Sequence, residues 1–467
     1  MLNHQQAAAA SADTGFTLIL AGAGTGKTTT LVGKVSQVIA AGITRPEQVM
    51  LLTFSRAAAE EMKGRISSKV PDAASLTAGT FHSVALSILR SFHAEWAGIR
   101  RFHGTPTVID EKKQSDVVSS LATKRLCDFL GLPLSTIVWL MTPHNRKRGE
   151  ALAGFELVRG ALDELLGEYR DYKSAHSLAD FGDLIGDCCR LLRERTHVRR
   201  SLHESFRYIF IDEFQDIADE TLEFVRLLLP ESGGNLCAVG DDAQAIYSFM
   251  GSTPRHICSF AEYFPCARLH RLTENYRSRR EIIELSNGVI ARNNSGIRKK
   301  LRAVRGKGGS VTFHSASGPD AELETILKIC DEAEKGSISI LFRNNWQVLR
   351  ARSFFEERRA GCADGIVFQT IHASKGLEYD TVILAGVEDG IFPGICSDIE
   401  EERRLLYVAL TRARNRLHIV YRSDGEEPSS FAKECMKAKE WAGKRALRLY
   451  LDKTVEKTDS LRKRIGL

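Results

Sequence analysis

The sequence predicts an α/β protein with parallel sheets in two successive units and a run of helices inserted in the first. Three observations predict this. Leu18 to Thr28 reads LILAGAGTGKT, an apolar run of strand length, then a glycine-rich turn, then Lys27 and Thr28 opening a helix. Tyr208 to Asp216, YIFIDEFQD, is a second apolar run that stops at the paired carboxylates Asp212 and Glu213. Elsewhere short apolar runs alternate with longer amphipathic stretches, the order expected of parallel strands joined by crossover helices.

The chain has 467 residues, enough for about two to four domains that each bury a core. Hydrophobic residues make up 43% and charged ones 27%, ordinary for a globular chain. Lys plus Arg number 65 against 59 Asp plus Glu, a formal charge of +6 that permits nucleic-acid binding without requiring it. The start MLNHQQAAAASADTG lacks the basic flank and apolar core of a signal peptide, and no later run approaches the apolar length of a membrane span. A cytoplasmic location with no membrane partner is therefore expected. Of ten cysteines only Cys188 and Cys189 are adjacent and none form a CxxC pair, which disfavours zinc and iron–sulfur sites and favours reduced thiols.

Taken in order, the first strand leads into a phosphate-binding loop. Gly22, Gly24 and Gly26 let successive N–H groups turn towards one anion, and the following helix presents its positive end to the same place. Ala21, Ala23 and Thr25 complete the loop, with Ala21 at the first position of the strict GxxxxGK[ST] pattern, a looser form of it. Lys27 supplies a point charge for the outer phosphates, and the Thr28 hydroxyl is placed to ligate Mg²⁺. Gln48 to Phe54 reads as a second strand, followed by the helical SRAAAEEMKGRI, and SLTAGTFHS as a third strand and turn leading into VALSILRSF. From about Glu95 to His203 the texture changes to charge-rich amphipathic helices without strand-like runs, a helical insertion. Within it NRKRGE, near Asn145, is either a solvated helix end or a phosphate contact.

Asp212 and Glu213 stand at the carboxyl end of their strand, where open α/β sheets bind ligands. Asp212 can hold Mg²⁺ through water and Glu213 can polarise the water that attacks a γ-phosphate, so the two motifs together define an NTP hydrolase. A further strand ends in Asp241, Asp242 and Gln244. RLTENYRSRREI then places Arg277 in a strand-to-helix turn, and EERRLLYVALTRARNRLHIVY carries Arg404 on a helix and Arg412 before a strand. The strand and turn settings of Arg277 and Arg412 in a second α/β unit suggest that they reach towards the phosphates held by the first.

The ordered set LN..Q, AGAGTGKT, LLTFSRAAAEEM, GTFHS, IDEFQD, VGDDAQAIYSF, LTENYRS, TIHASKGLEYD and YVALTRAR resembles the superfamily 1 DNA helicases of the UvrD, Rep and PcrA group, from Leu2 to Tyr421. The resemblance implies two RecA-like motor domains: residues 1–94 and 204–270 for the first, 95–203 for its helical insertion, 271–425 for the second and 426–467 for a basic helical tail. It implies ATP and Mg²⁺ as cofactors. Gln6 matches the adenine reader, Tyr276 the aromatic on the adenine face, Glu378 a ribose contact, Gln244 the γ-phosphate sensor, and Arg277 and Arg412 the arginine fingers. Lys27, Thr28, Asp212 and Glu213 match the phosphate, metal and water-activating residues. Phe54, Tyr247 and Phe249 match base-stacking positions, and Thr80, His82 and His372 backbone-contacting ones, on single-stranded or tailed DNA. By analogy ATP bridges and closes the two motor domains, and the enzyme moves 3′ to 5′ as a translocase and helicase.

Three departures qualify the resemblance. Thr29 stands where relatives carry an arginine against adenine, which predicts relaxed base selectivity. Phe249 is followed by Met250 rather than arginine, which removes a charge near the junction of ATP and DNA. The stretch from SISILFRNNWQ to IVFQTIH is too short for the large helical insertion that this group carries in its second motor domain, so that insertion is close to absent. Arg343, Asn345 and Gln347 match the strand before it and Gly365 to Gln369 its exit. The reduced size also resembles the UvrD-like subunit of the Gabija antiviral system, which leaves an alternative: a DNA-end and nucleotide sensor that regulates a partner nuclease. The tail after Phe431 reads either as a solvated helical end packed by Trp441, Leu447 and Leu451 or as a DNA- or partner-binding element.

Overall fold

The computed structural model describes residues 2–70, 73–122, 134–140, 155–231, 233–334, 336–358, 365–395, 397–423 and 427–443. The basic NRKRGE cluster, Leu447 and Leu451 lie outside the described residues. Packing divides the chain into two units, one of Met1–Ile19, Thr28–Gly240 and Tyr247–His270, the other of Leu20–Lys27, Asp241–Ile246 and Arg271–Leu467. The glycine-rich loop and the turn Asp241–Ile246 thus count with the second unit.

The first unit is built on β1 (Phe16–Ala21), β2 (Val49–Thr53), β3 (Thr77–Thr80), β6 (Tyr208–Ile211), β7 (Asn235–Gly240) and β8 (Arg268–Leu272), with β4 (Thr107–Val108) and β5 (Leu178–Ala179) apart from them. The sheet order is β3-β2-β6-β7-β1-β8. β2 runs parallel to β3 and β6, with Leu51 opposite Ala78 and Phe210, and β6 runs parallel to β7 with Phe210 opposite Cys237. Every residue of β2 and β6 is buried. A parallel strand covered on both faces needs such an uninterrupted apolar run, which explains why alternation is missing from the sequence.

At the carboxyl ends of β2 and β3 the chain turns straight into helices, because a side chain is ready to cap each one. Ser55 accepts from Ala58 N–H at 3.2 Å and opens the helix Arg56–Ser67; Thr80 accepts from Ser83 N–H at 3.2 Å and opens Phe81–Ser91. Asp180 and Asp183 form a reciprocal capping box on Phe181–Glu194. The described residues between 95 and 203 are largely helical, but they are not free of strands: β4 and β5 pair in parallel, Thr107 with Leu178 and Val108 with Ala179. Two-residue strands carry no periodicity to read, so the sequence hides them.

The second unit carries β9 (Glu274–Asn275) paired with β10 (Arg302–Ala303), and a five-stranded sheet of β11 (Ser310–Ala316), β12 (Ile338–Phe342), β13 (Ile366–Thr370), β14 (Tyr379–Val387) and β15 (Ala413–Arg422). Its order is β11-β15-β14-β12-β13 and all four pairings are parallel. Ile326, Ile340, Phe342, Phe355, Phe368 and Ile383 form part of the core on one side. Residues 343–365 are the whole connection from β12 to β13, and 345–358 of them form a helix, so the connection is only 23 residues long where a large insertion would be.

Residues 430–443 are helical and bury Phe431, Ala432, Cys435 and Ala438, with Phe431 edge-on to Phe392 at 5.2 Å. Trp441 is 62% exposed, which goes against the reading of the tail as an end packed by it; the buried face of the helix repeats at 431, 435 and 438. Among the described residues no helix is long and apolar enough to cross a membrane, and Cys188, Cys189, Cys237, Cys266 and Cys435 form no disulfide.

Candidate nucleotide and nucleic-acid sites

In the second unit the glycine-rich loop is tied to the strand that follows β8. Asn275 Nδ2 donates to Ala23 carbonyl at 2.6 Å, Tyr276 N–H donates to Gly24 carbonyl at 2.9 Å, and Thr25 Oγ1 donates to Gly22 carbonyl at 2.8 Å. Ala23 packs in a small core with Ala243, Ile283, Leu301 and Tyr407. Gly24 has φ +65°, and a Cβ there would lie 2.6 Å from Asn275 Nδ2 and 2.7 Å from Arg277 Cβ. Only glycine fits both the left-handed backbone and the space. Ala21, Ala23 and Thr25 are buried, Gly26 and Lys27 partly so, and Lys27 is the first residue of the helix Lys27–Ala40.

The two predicted arginines lie in this same unit. Arg277 Nε donates to Glu378 Oε2 at 2.6 Å and its Nη1 donates to Thr411 carbonyl at 3.2 Å. Burial works to raise the Glu378 carboxyl, but the Arg277 hydrogen bond and the charges of Arg277, Arg414 and Arg412 outweigh it and hold the group below its ordinary value. Arg412 is 1% exposed and donates to Val408 carbonyl at 3.0 Å, Leu377 carbonyl at 3.0 Å and Gln244 Oε1 at 3.4 Å. Gln244 also receives Lys375 Nζ on its carbonyl at 2.9 Å. Tyr276 is 42% exposed, its hydroxyl donating to Glu274 Oε2 at 2.9 Å. His372 is half-buried; burial, with the Arg343 charge adding, pushes it down to about 4 against a backbone hydrogen bond at Ile246, so it is neutral at physiological pH.

In the first unit Asp212 and Glu213 follow β6. Glu213 has φ +54°, an uncommon conformation for a side-chain-bearing residue, and it costs about 1 to 2 kcal/mol. The turn is held because Glu213 N–H donates to Asp212 Oδ1 at 3.0 Å, while buried Gln215 donates to Glu213 Oε2 at 2.7 Å and to Asp216 Oδ2 at 2.9 Å. Thr28 is half-buried and Thr29 exposed on the first turn of the loop helix. Gln6 also has a structural role, because its Oε1 accepts from Asn3 N–H at 3.0 Å and its own N–H donates to Asn3 Oδ1 at 2.7 Å, a capping box on His4–Ala9. Thr28 and Asp212 offer a hydroxyl and a carboxylate oxygen. That donor set suits Mg²⁺, which keeps several waters and takes one or two protein oxygens besides substrate phosphates. The described residues contain no group of three or more His, Cys, Asp or Glu side chains that could hold a metal ion.

The first unit also gathers most of the predicted nucleic-acid residues. Phe54 is 42% exposed and stacks on Tyr247 with centroids 5.1 Å apart and planes at 11°; Tyr247 meets Phe249 edge-on at 5.8 Å. Burial, with the charges of Asp216 and Glu213 adding, pushes the Tyr247 hydroxyl up to about 12. Phe54, Thr80 and His82 line one groove with Arg56, Arg90 and Phe181. Burial lowers His82, which leaves its ring neutral as a hydrogen-bonding group. Arg56, Arg90 and Phe181 were not visible as site residues in the sequence, since the side of a helix they occupy depends on the caps at Ser55, Thr80 and Asp180. Met250, the departure after Phe249, is 55% exposed.

Comparison with known proteins bears on this set of motifs. The model of the UvrD/REP helicase N-terminal domain matches residues 2–265, and that of the UvrD-like helicase C-terminal domain matches residues 270–359 and 349–424. The chain belongs to the UvrD/REP helicase family. Among its relatives, DNA helicase IV of Escherichia coli is 30% identical over 91% of this chain and 69% of its own length. The ATP-dependent DNA helicase PcrA of Leuconostoc citreum is 29% identical over 74% of this chain, and the match spans 47% of PcrA, about half its length. A probable DNA helicase of Mycoplasma pneumoniae is 28% identical over 92% of this chain and 86% of its own length. Membership of the UvrD/REP family accounts for the mixed α/β architecture with parallel sheets.

Proposed function

We propose that this UvrD-like chain is an ATP-driven motor that hydrolyses ATP when bound to single-stranded DNA, moves along it 3′ to 5′ and separates duplex ahead of it. The observation that carries the proposal is in the second unit: a phosphate-binding loop whose Gly24 abuts Arg277, in the same packed body as Gln244 and buried Arg412. Two guanidinium groups and an amide beside a phosphate loop suit a reaction that builds negative charge on a transferring phosphoryl group.

In this reading Lys27 and the loop N–H groups hold the outer phosphates of ATP, and Thr28 with Asp212 holds Mg²⁺, which neutralises phosphate charge when bound. Glu213 orients the attacking water. Gln244, Arg277 and Arg412 stabilise charge on the γ-phosphoryl, which requires Arg277 to exchange its bond to Glu378 for one to phosphate. Gln6 and Tyr276 hold adenine, and Glu378 the ribose. Single-stranded DNA lies along Phe54, Tyr247 and Phe249, with Thr80, His82 and His372 on its backbone. No observation favours a nuclease partner or an antiviral role, and the proposal includes neither.

The directional claim is tested by unwinding of duplexes with a 3′ or a 5′ single-stranded tail at several protein concentrations. Unwinding confined to the 3′-tailed substrate is expected; preference for the 5′ tail contradicts the polarity. DNA-stimulated hydrolysis with no unwinding on either substrate limits the activity to translocation, in line with the short connection between β12 and β13.

A further inference from the structure

The second unit contains a buried ion cluster that none of the roles above uses. Lys299, on the segment after the helix Arg280–Ile290, has a side chain only 8% exposed, and its Nζ lies 2.6 Å from Asp241 Oδ1 and also pairs with Asp242 Oδ1. Asp241 is fully buried and Asp242 nearly so. The segment wraps closely on this pair: Ile297 N–H donates to Asp242 Oδ2 at 2.9 Å, and Gly296, at φ +113°, would place a Cβ 2.7 Å from the same oxygen. Burial alone works to lower the Lys299 amine, but the two carboxylate charges and their hydrogen bonds outweigh it and raise the group.

Asp241 has a second partner. Its Oδ2 accepts from Gln244 Nε2, its Oδ1 accepts from Ala243 N–H at 3.2 Å, and Gln244 Oε1 in turn accepts from Arg412 Nη2. A carboxylate only accepts hydrogen bonds, and a guanidinium only donates. The amide of Gln244 therefore has one satisfactory orientation, NH₂ towards Asp241 and C=O towards Arg412. Two adjacent carboxylates buried without a cation repel one another, and that repulsion would push Asp241 off the place where it meets Gln244. A displaced Asp241 no longer holds the Gln244 NH₂ group, and the amide loses the single orientation that presents its C=O to Arg412.

We propose that Lys299 is a positioning residue for phosphoryl transfer: by neutralising the Asp241 and Asp242 pair it fixes the orientation of the Gln244 amide and, through it, the placement of Arg412. The inference rests on the functional reading given above and adds to it a residue that acts at one remove from the nucleotide.

The test measures ATP hydrolysis with saturating single-stranded DNA for the full chain and four variants. Lys299→Met is expected to lower kcat about tenfold while leaving the KM for ATP within about twofold, because orientation matters most as charge develops on the γ-phosphoryl. Lys299→Arg, which keeps the charge, is expected to recover most of kcat. Lys299→Met combined with Asp242→Asn should recover it as well, since a single buried carboxylate no longer faces a like charge. If Lys299 served only to anchor its segment on Asp242, the double variant would fall at least as far as the single one, and that outcome overturns the proposal. Asp241→Asn leaves the Lys299–Asp242 pair in place and should reproduce the kcat loss; it carries the test if Lys299→Met does not fold. Full kcat in Lys299→Met or in Asp241→Asn overturns the inference alone, whereas a wild-type chain without DNA-dependent hydrolysis overturns the functional reading and the inference with it.

Discussion

At the scale of single residues the chemistry concentrates on a few groups that the chain has gone to some lengths to hold. Glu213 sits in a left-handed conformation that glycine would adopt more cheaply, which points to a functional role for its carboxylate. Glu213→Gln is expected to retain ATP binding and slow hydrolysis by at least about a hundredfold, because an amide does not polarise the attacking water as a carboxylate does. Single-turnover hydrolysis measured beside equilibrium nucleotide binding checks this, and equal loss of both would assign Glu213 to binding instead. The roles proposed for Lys27, Thr28, Asp212 and Glu213 rest on spacing, a pattern that matches phosphate and metal chemistry. Lys299 lies in no such pattern: SGIRKKL offers two lysines and an arginine with no spacing that marks one of them, and only burial against Asp241 and Asp242 singles it out. Gln6 shows the converse, since a motif residue also serves the local structure as half of a capping box.

At the scale of elements, strand ends and the caps that follow them place the groove of the first unit. Thr80 closes β3 and caps Phe81–Ser91, so Thr80→Ala is expected to cost about 1 kcal/mol in folding stability, with Thr80→Ser nearly neutral. Chemical denaturation of the two variants measures it, and equal midpoints for Ala and Ser would show the cap to be idle. Phe54→Ala removes a ring that is exposed and stacked on Tyr247, and it should weaken binding of an oligothymidine strand by about 1 to 3 kcal/mol with little change in stability. Unaltered affinity in fluorescence anisotropy would remove Phe54 from the DNA path. The buried strands were readable as apolar runs, and so were the long amphipathic helices. β4 and β5 are too short to leave a pattern, and the sequence left open whether Trp441 packs the helical end, because a tryptophan near the end of an amphipathic stretch suits a packed or an exposed place.

At the scale of the whole molecule the α/β architecture and its family were open to reading from ordered motifs, whereas pairing order and buried charge depend on contacts distant in sequence. One such contact predicts a pH dependence. His372 and His418, both in the second unit, are each held down to about 4, His418 by burial together with His314 and Arg416. In the unfolded chain a histidine takes up its proton near about 6.5. Between those values the unfolded state binds more protons than the native one, so stability is full above about pH 6.5 and falls as pH drops towards 4. Thermal unfolding should therefore shift to lower temperature between pH 7.5 and 5.5, and His418→Asn should reduce the shift; a shift unchanged by that substitution would place its origin elsewhere. The central claim concerns the coupling of nucleotide chemistry to DNA, and it is tested most directly by the ATP hydrolysis rate of the full chain as single-stranded DNA is titrated in, with Lys27→Ala measured alongside. The rate is expected to rise steeply and saturably with DNA and to be abolished in Lys27→Ala. A rate indifferent to DNA, or one that survives the loss of Lys27, would contradict that coupling.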